Sequence, residues 1–431
     1  MQTGRESAVI RVVIVGAGHR SLLYASYALE NPDKMKVVGV VDPNEIRRKH
    51  VAERFDLPEQ ACFCSVEELV RGPKIADAVI NGTMDKVHIP TSLPLLQAGY
   101  DILLEKPIGV AKAEVLGLLA TARQYGRKVL ICHVLRYAPF YVEIKKQLLS
   151  GAIGDILTLN TEENVSYHHM AVSFVRGKWS RLESGGSSFL MAKSCHDLDL
   201  ITWLKSGVRP VKVSSFGQRS FFRPDRAPSG SGLRCLVDCT IEKDCPYSAY
   251  KNYIEQDLWR FYAWEGIEHI SLNPTVEQKI ESQKTDNPHG RCVWNCDNTV
   301  ADHQMVMVEF EDGSTAVHHL NSAAAKGCRT IHVIGSKGEL VGNMEDGTIE
   351  IRTPDARKDH IYASEIIQID VMGDMHGGGD LRLVDDFVKV LQGQAPSISS
   401  TTIEDSIYGH LIGFSADESV RSEKVLALEM I

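Results

Sequence analysis

The feature that most constrains the fold is a regular alternation of apolar runs and helical segments over residues 10–137. The first run, Ile10–Val15, is β-branched, and it is followed at once by glycines and then by a helical segment. Continuous apolar runs are typical of parallel strands buried on both faces, and strands alternating with helices build a doubly wound sheet with right-handed crossovers. The sequence therefore predicts an α/β Rossmann domain with a doubly wound parallel sheet over residues 1–137.

A different pattern follows in residues 138–431. Segments such as 304–321 alternate polar and apolar residues and are broken by glycine turns, which is typical of antiparallel strands. We predict a C-terminal α+β domain on a mostly antiparallel sheet, which binds the substrate and mediates oligomerisation. Residues 221–300 are rich in proline, glycine, cysteine and charge, and they read as a long insertion that is ordered only if something pins it.

The turn after the first run predicts a dinucleotide site. Its glycines let the backbone approach a pyrophosphate, whose charge the following helix N-terminus stabilises. Asp42 ends the second run and can accept hydrogen bonds from a ribose diol, which favours NAD, whereas Arg47 and Arg48 would accommodate the 2′-phosphate of NADP. Ser21 replaces the third glycine of the motif. The predicted cofactor contacts are Gly16, Gly18, His19, Arg20, Ser21, Asp42, Thr83, His88, Glu105 and Lys106.

The charge and apolar content of the chain indicate which classes of binding partner to expect. The formal net charge of -9 disfavours nucleic acid and anionic membranes, which bind basic surfaces. No window approaches the roughly 18 uncharged apolar residues of a membrane span. The N-terminal residues lack the apolar core of a secretory signal, which predicts a cytoplasmic location. We therefore expect a small-molecule substrate and neither a nucleic-acid nor a membrane partner.

Several motifs occur in a fixed order along nearly the whole chain. They are Glu105-Lys106-Pro107, Arg136-Tyr137, Gly151–Gly154, Lys178-Trp179, Gly185-Gly186, His196 with Asp199, and Gly335–Leu340. This ordered set resembles the glucose–fructose oxidoreductase/inositol dehydrogenase (Gfo/Idh/MocA) family. The resemblance implies an NAD(P)-dependent oxidoreductase that acts on a CH–OH group of a sugar, cyclitol or sugar acid. It also implies a homo-oligomer, a dimer or a tetramer.

The resemblance implies catalytic roles for Lys106 and His196. Lys106 matches a lysine that hydrogen-bonds the reacting hydroxyl, and His196 matches a histidine that exchanges a proton near the nicotinamide. Many family members carry an aspartate four residues before this histidine, where this chain has Ala192 followed by Lys193. Lys193 is predicted to stabilise an alkoxide or enolate, to bind a substrate carboxylate, or to face solvent.

Further residues are predicted to contact the substrate. The candidates are Arg136, Tyr137, His168, His169, Trp179 and His303, with Tyr167 and Arg176 in the same loop as the two histidines. The glycine run between His376 and Asp380 is predicted either to approach the same cleft or to be a plain connection.

Two further functions fit the same motifs. One is an NAD-retaining enzyme that cleaves glycosides through transient oxidation, elimination and reduction, which the unusual Lys193 favours. The other is a catalytically silent NAD-binding sensor, against which the presence of both Lys106 and His196 argues.

Five of the ten cysteines lie in the predicted insertion: Cys235, Cys239, Cys245, Cys292 and Cys296. Pairs of closely spaced cysteines in a reduced compartment indicate a zinc site that ties two chain segments together. We predict one structural zinc ligated by four of the five, with unliganded apolar thiols as the alternative.

Overall fold

The computed structural model describes residues 8–371 and 376–429. Its N-terminal part is a parallel sheet with the order β3-β2-β1-β4-β5-β6. The strands are β1 (Ile10–Val15), β2 (Met35–Val41), β3 (Cys62–Phe63), β4 (Ala78–Asn81), β5 (Asp101–Leu104) and β6 (Val129–Ile131). The helices are α1 (His19–Ala25), α2 (Tyr27–Glu30), α3 (Glu45–Phe55), α4 (Val66–Arg71), α5 (His88–Gln97) and α6 (Lys112–Tyr125). The predicted doubly wound parallel sheet is confirmed.

The packing of β1 explains why its buried positions form a continuous apolar run. Val12 and Ile14 pack into one apolar cluster, whereas Val13 and Val15 pack into another on the opposite face of the sheet. Since side chains alternate between the two faces of a strand, burial of both faces requires apolar residues at successive positions, and the only charged residue of β1, Arg11, is exposed.

The second part is a nine-stranded sheet with the order β14-β13-β12-β11-β7-β10-β9-β8-β15. Its strands are β7 (Ile156–Ser166), β8 (Pro210–Gln218), β9 (His303–Phe310), β10 (Thr315–Ala324), β11 (Cys328–Gly335), β12 (Glu339–Asn343), β13 (Thr348–Pro354), β14 (Tyr362–Gln368) and β15 (Leu426–Ala427). Strands β7 and β10 pair in parallel and the other pairs are antiparallel, so the predicted mostly antiparallel sheet is confirmed.

The remaining α-helices follow β6 in the chain. They are α7 (Pro139–Leu149), α8 (Tyr167–Met170), α9 (Leu182–Gly185), α10 (Phe189–Leu204), α11 (Arg260–Ala263), α12 (Val276–Lys284), α13 (Gly379–Leu391) and α14 (Ile403–Ser422). Although α13 and α14 come last, Phe387 and Leu411 pack into the two clusters that cover the faces of the N-terminal sheet. The predicted division at residue 137 stays a prediction, and residues 1–7 of its first domain lie outside the described residues. None of the described helices is long and apolar enough to cross a membrane.

The predicted insertion lies between β8 and β9. Helices α11 and α12 lie within it, and Tyr253, Trp264 and Ile267 form a small apolar cluster with Val172 of the second domain. This cluster packs the insertion against the second domain, and the expectation that something must pin the segment stays a prediction.

Candidate active site

The glycine turn between β1 and α1 leaves a cradle. Gly16 has φ +79°, and a Cβ there would lie 2.8 Å from the backbone nitrogen of Thr83. A Cβ at Gly18 would meet no atom within 4 Å, so the turn is open on that side. Only glycine therefore suits position 16, and the free space beside Gly18 fits a pyrophosphate approaching the start of α1.

Ser21, the departure from the glycine motif, is accommodated by a second glycine. Ser21 is fully buried, and a Cβ at Gly82 would overlap its Oγ. The side chain that α1 gains at Ser21 therefore occupies the space that Gly82 leaves free next to β4.

Asp42 is fixed at the end of β2, beside the glycine turn. One carboxylate oxygen accepts a hydrogen bond from the Ala17 N–H at 2.7 Å, and the other accepts one from the Asn44 N–H at 2.8 Å. The side chain is thus held by backbone amides, and its remaining lone pairs can accept hydrogen bonds from a ribose.

Arg20 and Glu105 form a buried network beneath the turn. Arg20 Nε lies 2.8 Å from Glu105 Oε1, Arg20 Nη2 lies 2.5 Å from Asp380 Oδ1, and the Tyr24 hydroxyl donates to Glu105 at 2.7 Å. Burial opposes ionisation of Glu105, but Arg20 and Lys106 outweigh it and lower its pKa to about 2. Arg20 Nη1 is buried without a hydrogen-bond partner among the described residues, so it can serve a ligand.

His88 supports the site from behind, which corrects its assignment as a cofactor contact. The ring is 1% exposed and lies between the carbonyl oxygens of Pro107, at 2.7 Å, and Thr83, at 2.9 Å. Both nitrogens are therefore occupied by protein, and His88 positions the loops that carry Thr83 and Lys106.

Lys106 and His196 meet across the two parts of the chain. Lys106 Nζ donates to the carbonyl oxygen of Ala192 on α10 at 2.9 Å, one helical turn before His196. Nδ1 of the buried His196 ring has no hydrogen-bond partner in the part of the chain that the structure describes. Burial, together with the charge of Lys106, lowers the pKa of His196 well below its ordinary value. The imidazole is therefore neutral at neutral pH and can accept a proton.

Two more histidines lie against His196 and were not assigned roles from the sequence. The ring centroids of His133 and His376 each lie 5.7 Å from that of His196. His376 Nδ1 lies 2.9 Å from Asp380 Oδ2, which links it to Arg20. His376, at the start of the glycine run, therefore lies beside His196, and the approach of the glycine run to the cleft stays a prediction.

Lys193 faces the interior rather than solvent. Its Nζ lies 3.2 Å from Glu163 Oε1 on β7, and Arg329 joins Glu163 to Asp197 at 2.5 and 2.9 Å. Burial lowers the pKa of Lys193, an effect that Glu163 opposes. Glu163 thus places a carboxylate beside α10, which Ala192 cannot supply.

The insertion supplies an aromatic segment, Trp259–Tyr262, at the edge of this site. The Trp259 ring stacks on His169 at 4.2 Å and donates from Nε1 to His168 Nδ1 at 2.8 Å. On the other side, Phe261 stacks on His19 of the cofactor turn at 4.4 Å. The aromatic segment therefore contacts both the cofactor turn and the loop that was predicted to bind substrate.

Trp179 lies next to the same segment. Its ring packs edge-on against Tyr262 at 5.7 Å, and its Nε1 donates to Asp85 Oδ2 at 3.1 Å. Little in the sequence indicates the aromatic segment, apart from the composition of Trp259–Tyr262, where three of four residues are aromatic.

Arg136 and Tyr137 are structural, which corrects their prediction as substrate contacts. Arg136 is 1% exposed and binds both oxygens of Asp199 at 2.6 Å. The Tyr137 hydroxyl donates to Asp386 of α13 at 2.9 Å, and the ring packs in an apolar cluster. Their polar groups therefore join helices and do not face the cleft.

His303 lies on the outer face of the second sheet, which also corrects its assignment. His303 pairs in register with Asn321 of β10. Asn321 lies on the same face of the sheet as His319, whereas Leu320 between them is fully buried on the opposite face. The His303 ring contacts the Asp302 carboxylate at 2.8 Å and is 46% exposed. The register thus directs His303 away from His196.

The cysteines of the insertion do not form the predicted zinc site. Across residues 8–371 and 376–429, no group of three His, Cys, Asp or Glu side chains could hold a metal ion. Four of the five line one small cavity: Cys235, Cys239, Cys245 and Cys292. The buried Arg176 lines it too, and its guanidinium donates to Cys235 Sγ at 3.5 Å. The cation that these thiols face in the structure is an arginine.

Similarity to known proteins agrees with this architecture. Residues 10–133 match the family model of the GFO_IDH_MocA oxidoreductases, described as having an NAD-binding Rossmann fold. The oxidoreductase YteT of Bacillus subtilis (strain 168) is 24% identical over 364 residues, 81% of each chain. The trans-1,2-dihydrobenzene-1,2-diol dehydrogenase of Bos taurus is 31% identical over 186 residues, and the match spans about half of that enzyme, 52%.

A solved structure extends the fold match to nearly the full length. A levoglucosan dehydrogenase in complex with NADH has a TM-score of 0.72 at 15% identity, covering 98% of this chain and 100% of that one. The family model, the relatives and the shared two-part fold agree: this chain is similar to the Gfo/Idh/MocA oxidoreductases, and the family model matches its Rossmann part.

Proposed function

We propose that this protein is an NAD(H)-dependent oxidoreductase that interconverts a hydroxyl and a carbonyl on a polyhydroxylated, sugar-like small molecule. The observation that carries the proposal is the approach of Lys106 to α10, one turn before the buried His196, whose Nδ1 has no hydrogen-bond partner among the described residues. The open side of Gly18 and the fixed Asp42 carboxylate support a dinucleotide in the adjoining cradle.

Lys106 and His196 divide the proton chemistry. The neutral His196 accepts the proton of the reacting hydroxyl, a step that typically contributes about 10²–10⁴-fold to rate. Lys106 spends one of its three N–H donors on Ala192 and retains others for the substrate oxygen, whose developing negative charge its ammonium stabilises. A bound nicotinamide would supply the hydride acceptor for the carbon that carries this hydroxyl.

The substrate class follows from the side chains around this pair. The Lys193–Glu163 pair offers an ammonium and a carboxylate, and Trp259 and Trp179 offer aromatic surface. Hydroxyl groups can both donate to Glu163 and accept from Lys193, while aromatic rings pack on the C–H faces of a sugar ring. Two of the relatives named above act on levoglucosan and on a dihydrodiol, each of which carries hydroxyl groups on a ring.

A second candidate is a redox-neutral enzyme that retains its cofactor while it cleaves a glycoside. The contact between Phe261 and His19 favours it, because the insertion then covers the cofactor turn and slows exchange. Lys193 would be the added cation beside the reacting carbon. A catalytically silent sensor does not account for the Lys106–His196 pair.

The decisive experiment is turnover of a panel of sugars, cyclitols and sugar acids with NAD⁺, followed at the absorbance of NADH. A net dehydrogenase accumulates NADH in proportion to product. Product without NADH supports the redox-neutral candidate. Binding of NAD(H) without turnover on any member of a broad panel, in a protein with Lys106 and His196 intact, would contradict both enzymes.

The homo-oligomeric state and the cytoplasmic location remain predictions of the sequence. Light scattering and fractionation test them in turn.

A further inference from the structure

The insertion reaches the end of the cofactor cradle where NAD and NADP differ. Arg47 lies in the first turn of α3, just beyond Asp42. Its Nη2 lies 3.0 Å from Glu265 Oε1 and its Nε lies 2.8 Å from Glu268 Oε2. The two glutamates follow α11 in the insertion, more than 200 residues away in sequence, so this is a long-range contact between the insertion and the Rossmann sheet.

The contact is partly buried and belongs to a larger arrangement. The Arg47 side chain is 23% exposed, and those of Glu265 and Glu268 are 33% and 23% exposed. Lys178 also reaches Glu265, at 3.4 Å, so two cations are matched by two carboxylates. The Phe261 stack on His19 holds the same segment against the cofactor turn. Such a cluster is better fixed than an isolated surface ion pair.

The charges at this point disfavour a 2′-phosphate. A phosphate on the ribose is bound through a guanidinium that can donate to it, and the guanidinium of Arg47 is already engaged by two carboxylates. Asp42 adds a third carboxylate on the ribose side. Arg48 does not replace Arg47 as a phosphate ligand, because its Nη1 donates to the carbonyl oxygens of Asp42 and Pro43.

We propose that Glu265 and Glu268 of the insertion exclude NADP(H) by holding Arg47 and by presenting their carboxylates beside the 2′ position. The proposal rests on the proposed function, since it concerns which nicotinamide cofactor the same cradle selects. The insertion is then a determinant of cofactor specificity as well as part of the cleft. Specificity of this kind comes from a repulsive element and not only from attraction to the preferred ligand.

The test is a pair of dissociation constants, for NADH and NADPH, measured by calorimetry at low ionic strength on the full chain. Wild type is expected to bind NADH more tightly than NADPH. In Glu265→Gln/Glu268→Gln, the affinity for NADPH is expected to rise about 10-fold or more, with the affinity for NADH within about 3-fold of wild type. Glu281→Gln, which changes an exposed carboxylate of the same insertion on α12, is the matched control and should change neither.

Arg47→Ala in the double-variant background separates the two effects, because it should remove the part of the gain in NADPH affinity that the released Arg47 contributes. An unchanged NADPH affinity in the double variant, a gain that Arg47→Ala does not reduce, or equal binding of both cofactors by wild type would each overturn the proposal. Failure of wild type to bind either cofactor would instead overturn the proposed function. Retained NADH binding shows that the variants are folded.

Discussion

The Rossmann sheet and the insertion at residues 221–300 are ordered by different means. Strands such as β1 bury apolar side chains on both faces, so a short stretch of sequence specifies them. The insertion has a small apolar cluster and depends on single polar contacts over long sequence separations, such as Arg176 with Arg291 and Arg47 with Glu265. Local sequence therefore determines the regular structure of the sheet, whereas the conformation of the insertion depends on contacts with residues far away in the sequence.

The largest expected effect is on kcat, and it distinguishes the proton-transfer residues from the insertion that encloses the site. Lys106→Ala and His196→Ala should each lower kcat by at least about 10²-fold, the usual scale for a positioned proton-transfer group. The insertion should be unaffected, because neither residue contacts it in the contacts described above. Lys112→Ala, an exposed lysine at the start of α6, is the control. Near-wild-type turnover in either variant would remove that residue from the mechanism.

The second prediction concerns what orders the insertion. Arg176 is 1% exposed and donates to the Arg291 carbonyl at 2.6 Å and the Tyr247 carbonyl at 2.8 Å. Arg176→Leu leaves these acceptors buried and unpaired, which should cost the insertion about 2–3 kcal/mol or more. Limited proteolysis should then cut within residues 221–300 while the Rossmann sheet stays protected.

Controls for that experiment distinguish the arginine from a metal. Arg226→Leu, at an exposed position of the same insertion, should leave proteolysis unchanged. If a chelator or Cys235→Ser opened the insertion as fully as Arg176→Leu, the zinc prediction would be restored and the arginine would be secondary.

A smaller effect is expected from the aromatic segment. Trp259→Ala removes the stack on His169 and the hydrogen bond to His168. We expect KM to rise about 10-fold, equivalent to about 1.4 kcal/mol, with kcat nearly constant, because the ring borders the substrate and does not exchange protons. Tyr250→Ala, an exposed aromatic of the same insertion, is the control. A fall in kcat with constant KM would assign Trp259 to the chemistry.

The smallest effect is the pH dependence. Burial and Lys106 lower the pKa of His196, so the neutral base persists as pH falls. The acid limb of kcat/KM for oxidation should therefore lie below about pH 6.5, the ordinary imidazole value. A limb at or above that value would contradict the burial of His196 in the working enzyme.

The stability of the fold is measured beside this limb. Glu105 has a pKa of about 2 in the fold against an ordinary value of 4.5, so its stabilising contribution is kept above pH 4.5 and is lost as the pH falls towards 2. The buried His196 has a lowered pKa, so its contribution falls as the pH drops below about 6.5, the ordinary imidazole value. Melting temperatures measured from about pH 5 to 8 are therefore the control that separates protonation of the base from unfolding.

Predictability from sequence follows the same division. The glycine turn and Asp42 are predictable because each follows a strand that local pattern defines, and the roles of Lys106 and His196 are implied by the resemblance of their motifs to the family. The exposure of His303 could not be predicted, since it depends on the register of β9 against β10. The structural role of Arg136 could not be predicted either. Its motif resembles that of the family, but its guanidinium binds the Asp199 carboxylate.

The position of α13 and α14 has a consequence for synthesis on the ribosome. The two helices that complete the faces of the Rossmann sheet are the last in the described chain, so Phe387 and Leu411 emerge long after β1 to β6. Domains usually fold as they are made, N-terminal first. Here the nascent sheet keeps partly uncovered apolar faces until residues 379–422 have been made, and truncation before residue 379 leaves those faces open to chaperones or to aggregation.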